Sequence, residues 1–170
     1  MTISERSIIL MGGKPGSGKT NLSRRLQTAL DNPLDKPRRS VEHVSIGEFA
    51  RQQLILGKQA TRSACQTAII DHLSGPDKLQ PFDEDIARGI VYEQLLRSDA
   101  EIVLLDGYPR YFPQVDGVFE LAARSDFYVK GAIITHVEEN EAVRRMMKRT
   151  DDRVTSEAEA YQRLAQHEQS

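Results

Sequence analysis

A single cysteine, Cys65, stands in 170 residues, and tryptophan is missing altogether. One thiol excludes an intrachain disulfide and any metal cluster built on cysteine. His43, His72, His136 and His167 are scattered without the short spacing of metal-ligand pairs. With 23 basic against 25 acidic residues the net charge is −2, and no block of one sign occurs. Broad electrostatic capture of nucleic acid is thereby excluded, so anions must be held by individually placed Arg and Lys. No apolar run approaches the about 20 residues needed to span a bilayer. The segment Met1 to Arg6 is polar and lacks a secretory apolar core. A reduced, cytoplasmic protein with no membrane partner is expected. There is no internal repeat or low-complexity tract, and the length suits one domain with one core.

What is present is Gly13-Lys14-Pro15-Gly16-Ser17-Gly18-Lys19-Thr20. It follows the apolar run Ile8 to Met11 and precedes helical spacing at Leu22, Leu26, Ala29 and Leu30. A strand, a glycine-rich loop and a helix in that order form the context in which G-x-x-x-x-G-K-[ST] cradles phosphate. Glycines let backbone N–H groups turn inward, and the positive end of the next helix favours an anion. Gly13, Pro15, Gly16, Ser17, Gly18, Lys19 and Thr20 are therefore the expected ATP-binding residues. Lys19 is expected to reach the β- and γ-phosphates and the Thr20 hydroxyl to sit on Mg²⁺.

The rest of the chain alternates strands and helices. Val41–Ile46 reads as a second strand and Gly47–Leu56 as a helix. A further helix is expected from about Thr61 to Leu73, and another from Asp83. Ile102-Val103-Leu104-Leu105-Asp106 is a continuous apolar run ending in an acid, the pattern of a buried parallel strand. Asp106 is expected to hold Mg²⁺ through water, beside the phosphate loop. Pro113 suits the first turn of the next helix. Ala132–Val137 reads as the last strand, followed by helices from about Asn140 to Arg149 and from Ser156, where Ser156 and Glu159 suggest a capping box. The expected fold is α/β: a three-layer P-loop NTPase fold with a parallel sheet of about four strands. Residues 47–81 form a helical insertion beside it within a single domain, 1–170. Cys65 and His136 are read as packing residues, and Tyr111 and Phe112 either pack or line a base pocket.

Asp106-Gly107-Tyr108-Pro109-Arg110 with Gln114 resembles the D-G-[FY]-P-R segment and following Gln of adenylate kinase and its nucleoside monophosphate kinase relatives. Ser45-Ile46-Gly47-Glu48-Phe49-Ala50-Arg51 is similar to the family's S-T-G-D-x-x-R corner, with Ile46 in place of its Thr. Leu79-Gln80-Pro81-Phe82-Asp83-Glu84 resembles L-V-P-D-E with one extra residue, and Arg149-Thr150-Asp151-Asp152 resembles R-x-D-D. The resemblance implies a kinase that transfers the γ-phosphoryl group of ATP, with Mg²⁺, to a nucleoside monophosphate, AMP first. It implies that Ser45, Gly47, Arg51, Gly107, Arg110 and Gln114 bind the acceptor, with Arg51 and Arg110 on its phosphate and Gln114 on its base. By the same resemblance Lys19, Arg110, Arg145, Arg149 and Arg163 are catalytic, and the insertion is the acceptor-binding part. The family's lid is reduced to a vestige at 145–153, and its fifth strand and final helix have no counterpart. These departures keep two alternatives open: a related kinase of another small acceptor, and a nucleotide-binding regulatory protein with weak catalysis.

Overall fold

The computed structural model describes residues 6–31, 39–56, 64–74, 82–148 and 154–168. β1 (Ser7–Gly12) leads through the glycine loop into α1 (Lys19–Asp31). β2 (Val41–Ser45) is followed by α2 (Ile46–Leu56), α3 (Ala64–Ser74) and α4 (Glu84–Arg97). β3 (Ile102–Asp106), α5 (Gln114–Arg124), β4 (Tyr128–Ile134), α6 (Glu139–Met147) and α7 (Glu157–Glu168) complete the order.

The strands form one parallel sheet in the order β2-β3-β1-β4. Side chains alternate between its faces. Ile8, Val103 and Leu105 meet Ile90, Val91 and Leu95 of α4 and Val118 and Leu121 of α5. Met11, Ile102 and Leu104 face the other way, against Leu22, Leu26 and Leu30 of α1. Sandwiched between both layers, β3 is buried at every residue, as its unbroken apolar run requires. Truncating Leu104 there to Ala would cost about 2–5 kcal/mol. Among the described residues of 47–81 there are helices and no strand, and Ala50 and Ile69 join the main core. Ile46 joins it too, at 1% exposure. No helix of the described residues is long and apolar enough to cross a membrane.

The last strand is displaced from the sequence expectation of 132–137. Its pairing with β1 opens at Ser7–Tyr128 and closes at Gly12–Ile134, so Thr135, His136 and Val137 lie beyond the sheet. As an edge strand it is exposed over much of its length, and its first half carries no apolar run to announce it. His136 does not pack: its side chain is 80% exposed, 3.7 Å from Glu138. Phe112 is likewise exposed. At α7, Glu159 N–H donates to Ser156 Oγ at 3.2 Å, but the reciprocal half of the expected box goes to Thr155, whose N–H donates to Glu159 Oε2 at 2.7 Å. The vestigial lid falls largely on residues 149–153, which lie outside the described residues.

Candidate functional site

Because all the strands run parallel, their carboxyl ends share one edge of the sheet, where open α/β sheets bind ligands. Register brings Met11 level with Asp106, and Asp106 level with Ser45. The phosphate loop, the acid and the helix corner thus meet without any of them leaving its strand end.

They line a cavity of about 370 Å³. Its floor is the loop, with Gly13, Pro15, Gly16, Gly18, Lys19 and Thr20. Two glycines there are dictated by space as well as by conformation. At Gly13, with φ +129°, a Cβ would lie 2.3 Å from the Thr135 carbonyl oxygen. At Gly16, with φ +80°, it would lie 2.5 Å from the Ala142 carbonyl oxygen of α6. The Lys19 ammonium donates to the Gly13 carbonyl and, at 3.1 Å, to the Lys14 carbonyl. Ser17 does not line the cavity; its hydroxyl pairs with that of Thr135 at 2.7 Å. Thr135 in turn donates to the Gly12 carbonyl at 3.1 Å, pinning the loop to the end of β4.

Thr20 Oγ1 donates to Asp106 Oδ2 at 3.2 Å. Burial pushes the Asp106 carboxyl up, but His43, the Lys19 charge and the Thr20 bond outweigh it and hold the group below its ordinary range. An ionised carboxylate beside a hydroxyl is an all-oxygen donor set that fits Mg²⁺, a cation bound through few protein groups plus substrate phosphates. The residues present fit that ion.

Ser45, Gly47, Arg51, Gly107 and Arg110 line the same cavity. Ser45 ends β2 and accepts from Glu48 N–H at 3.4 Å, capping α2. The guanidinium groups lie against their glycines: a Cβ on Gly47 would come 3.3 Å from Arg51 Nη1, and one on Gly107 3.8 Å from Arg110 Nη2. A third wall is made by Arg163, Gln166 and His167 of α7.

A family model described as an AAA domain matches residues 12–162. The chain belongs to that family. The adenylate kinase of Helicobacter hepaticus is 28% identical over 153 residues, 88% of this chain and 73% of that protein. Those of Helicobacter pylori and Corynebacterium urealyticum are 27% and 28% identical, covering 85% and 83% of this chain and 69% of each relative. The crystal structure of TT1252 from Thermus thermophilus shares the fold, with a TM-score of 0.51 at 19% identity over 94% of this chain and 78% of that one. This is an adenylate kinase-like, nucleotide-binding P-loop chain with the P-loop NTPase fold.

Besides Ser17, two expected site residues of this kinase-like chain stand outside the cavity wall. Arg145 is exposed and held by Glu141 at 2.7 Å, yet it overhangs the loop: a Cβ on Gly18 would lie 3.7 Å from its Nη1. Gln114 is 2% exposed and spent inward. Its Oε1 accepts from Arg110 N–H at 2.7 Å, and its Nε2 donates to Glu84 Oε2 at 2.5 Å. Tyr108 donates to the other Glu84 oxygen at 2.8 Å. Burial, then Glu84, push that phenol above its ordinary range. Gln114 thus braces the backbone at Arg110 from within the core. Arg149 lies outside the described residues.

Sequence reasoning missed Thr135, Glu84, His43 and His167. Thr135 carries no local signal, and Glu84, known only as the end of the segment resembling L-V-P-D-E, gives no sign of partners that are distant in the chain. His43 sits on β2 with Nε2 3.8 Å from Asp106 Oδ2, and the strand alternation two residues before Ser45 could have flagged it. His167 lies one helical turn after Arg163, a spacing that puts both on one face.

Proposed function

We propose that this protein transfers the γ-phosphoryl group of ATP, with Mg²⁺, to a nucleoside monophosphate, AMP first among acceptors. The observation that carries this reading is one cavity lined both by the phosphate loop and by Arg51 and Arg110. A hydrolase needs no such second anion grip, whereas a kinase of nucleoside monophosphates must hold two phosphorylated substrates end to end. The adenylate kinase names of the relatives support the same reading.

Little covalent help is required for phosphoryl transfer, which rests on positioning and on charge neutralisation. The loop amides and Lys19 bind the donor phosphates and set the γ-group in line with the acceptor. Thr20 and Asp106 hold Mg²⁺, which supplies further charge neutralisation when bound. Arg51 and Arg110 grip the acceptor phosphate, since a guanidinium fork matches phosphate oxygens. Ser45, Gly47 and Gly107 shape that pocket, and Gln114 acts from behind by fixing Arg110. Arg163 from the α7 wall and Arg145 from above Gly18 meet charge developing on the transferred group; Arg149 belongs with them by resemblance.

A coupled assay of ADP formation from ATP with AMP, GMP, CMP and UMP tests the reading. Acceptor-dependent turnover is expected, fastest with AMP. ADP release that none of the monophosphates accelerates would overturn it. A different small phosphorylated acceptor is the second reading, favoured by the inward engagement of Gln114, which leaves the base unread at that position.

A further inference from the structure

α6 and α7 form a hairpin with its own small core, in which Ala142, Val143 and Met146 meet Ala160 and Leu164. Arg163, Gln166 and His167, on α7 beside that packed seam, line the cavity together with the phosphate loop. The His167 ring is open to water on one side and faces the Gly13 carbonyl on the other. Its charged surroundings are Lys19 of α1, Arg110 after β3, and Arg163 and Glu168 of its own helix, with Arg51 and Asp106 across the cavity. Arg145 of α6 overhangs the loop at Gly18.

We propose that His167 is a further phosphate-binding residue, whose imidazole hydrogen-bonds the nucleotide polyphosphate and takes up a proton from solvent as the nucleotide binds. This rests on the nucleotide reading of the same cavity. Partial burial and the Lys19 and Arg110 charges favour the neutral ring, against the Gly13 carbonyl and Glu168, which favour the cation. A polyphosphate brings several negative charges among those cations and reverses the balance: the ring then meets an anion beside the two positive groups. The imidazolium donates an N–H to a phosphate oxygen, with the Gly13 carbonyl lining the same cavity. Binding and proton uptake are therefore linked.

Calorimetric titration of Mg·ADP into the full chain at pH 7.5, in HEPES and in Tris, tests this. The observed heat should differ between the buffers, reporting net proton uptake. His167→Gln should remove the His167 part of that difference and weaken ADP about two- to tenfold, the range of one hydrogen bond. His167→Lys, which keeps a positive donor, should restore affinity without restoring the buffer-dependent heat. Inorganic tripolyphosphate should behave as ADP does, because the contact is to phosphate. A His167→Gln variant with unchanged affinity and unchanged buffer dependence would overturn the role of His167. Failure of the wild-type chain to bind either ADP or tripolyphosphate would instead overturn the nucleotide reading beneath it.

Discussion

Replacing Gln114 by Ala separates two roles for that residue. In the structure its amide bridges Arg110 N–H, at 2.7 Å, and Glu84 Oε2, at 2.5 Å, at 2% exposure. Gln114→Ala removes both bonds and leaves that Glu84 oxygen with only the longer 3.4 Å contact from Tyr111. A buried group left unsatisfied costs about 1–3 kcal/mol, more when charged. Two such groups, softened by the Tyr108 bond that Glu84 retains, place the loss at about 2–4 kcal/mol. For a chain of this size each kcal/mol moves Tm by about 2–4 °C, so a fall of roughly 4–16 °C is expected in thermal denaturation followed by circular dichroism. The Arg110 backbone loosens at the same time, so KM should rise for every monophosphate alike. If Gln114 instead reads the acceptor base, Tm stays put and KM rises for one base alone. That outcome would refute the buried-bridge argument.

Lys19→Ala should leave a folded protein, judged by circular dichroism, without measurable phosphoryl transfer, because the Lys19 ammonium donates to loop carbonyls and lies outside the hydrophobic core; near-normal turnover would remove the loop from the chemistry. Arg51→Ala and Arg110→Ala should each weaken acceptor binding tenfold or more, since a charge-assisted contact is worth about 1.5–3 kcal/mol, while calorimetry shows ATP binding little changed. Equal loss for ATP would move these arginines to the donor side. Gly16→Ala should lower affinity for ADP well beyond the effect of a methyl group, because its Cβ would meet the Ala142 carbonyl oxygen at 2.5 Å and force the loop and α6 apart; unchanged binding would mean that the close approach is not needed. Only residues 148–156 join α6 to α7, too few for a long flap over the site. ADP release from ATP without acceptor should therefore be readily measured beside transfer, as water is poorly excluded; a fast transferase with negligible hydrolysis would show that the site seals by other means.

The sequence by itself determined what depends on neighbours in the chain. The phosphate loop is contiguous, so its glycines, Lys19 and Thr20 were legible from spacing, as was β3 from its unbroken apolar run ending at Asp106. Arg51, Arg110 and Arg163 were placed by resemblance, and they line the cavity because the strand ends and the α7 face that carry them converge there. Tertiary structure alone decided what depends on pairs far apart. The extent of β4 follows from where β1 begins and ends, which its own residues do not encode. The inward turn of Gln114 depends on Glu84, thirty residues earlier. The turn of Ser17 away from the cavity depends on Thr135, and the arrival of His167 at Gly13 depends on how α7 packs against α6. Periodicity tells which face of an element is apolar, but a polar side chain takes its partner from whichever donor or acceptor the packing brings within about 3 Å.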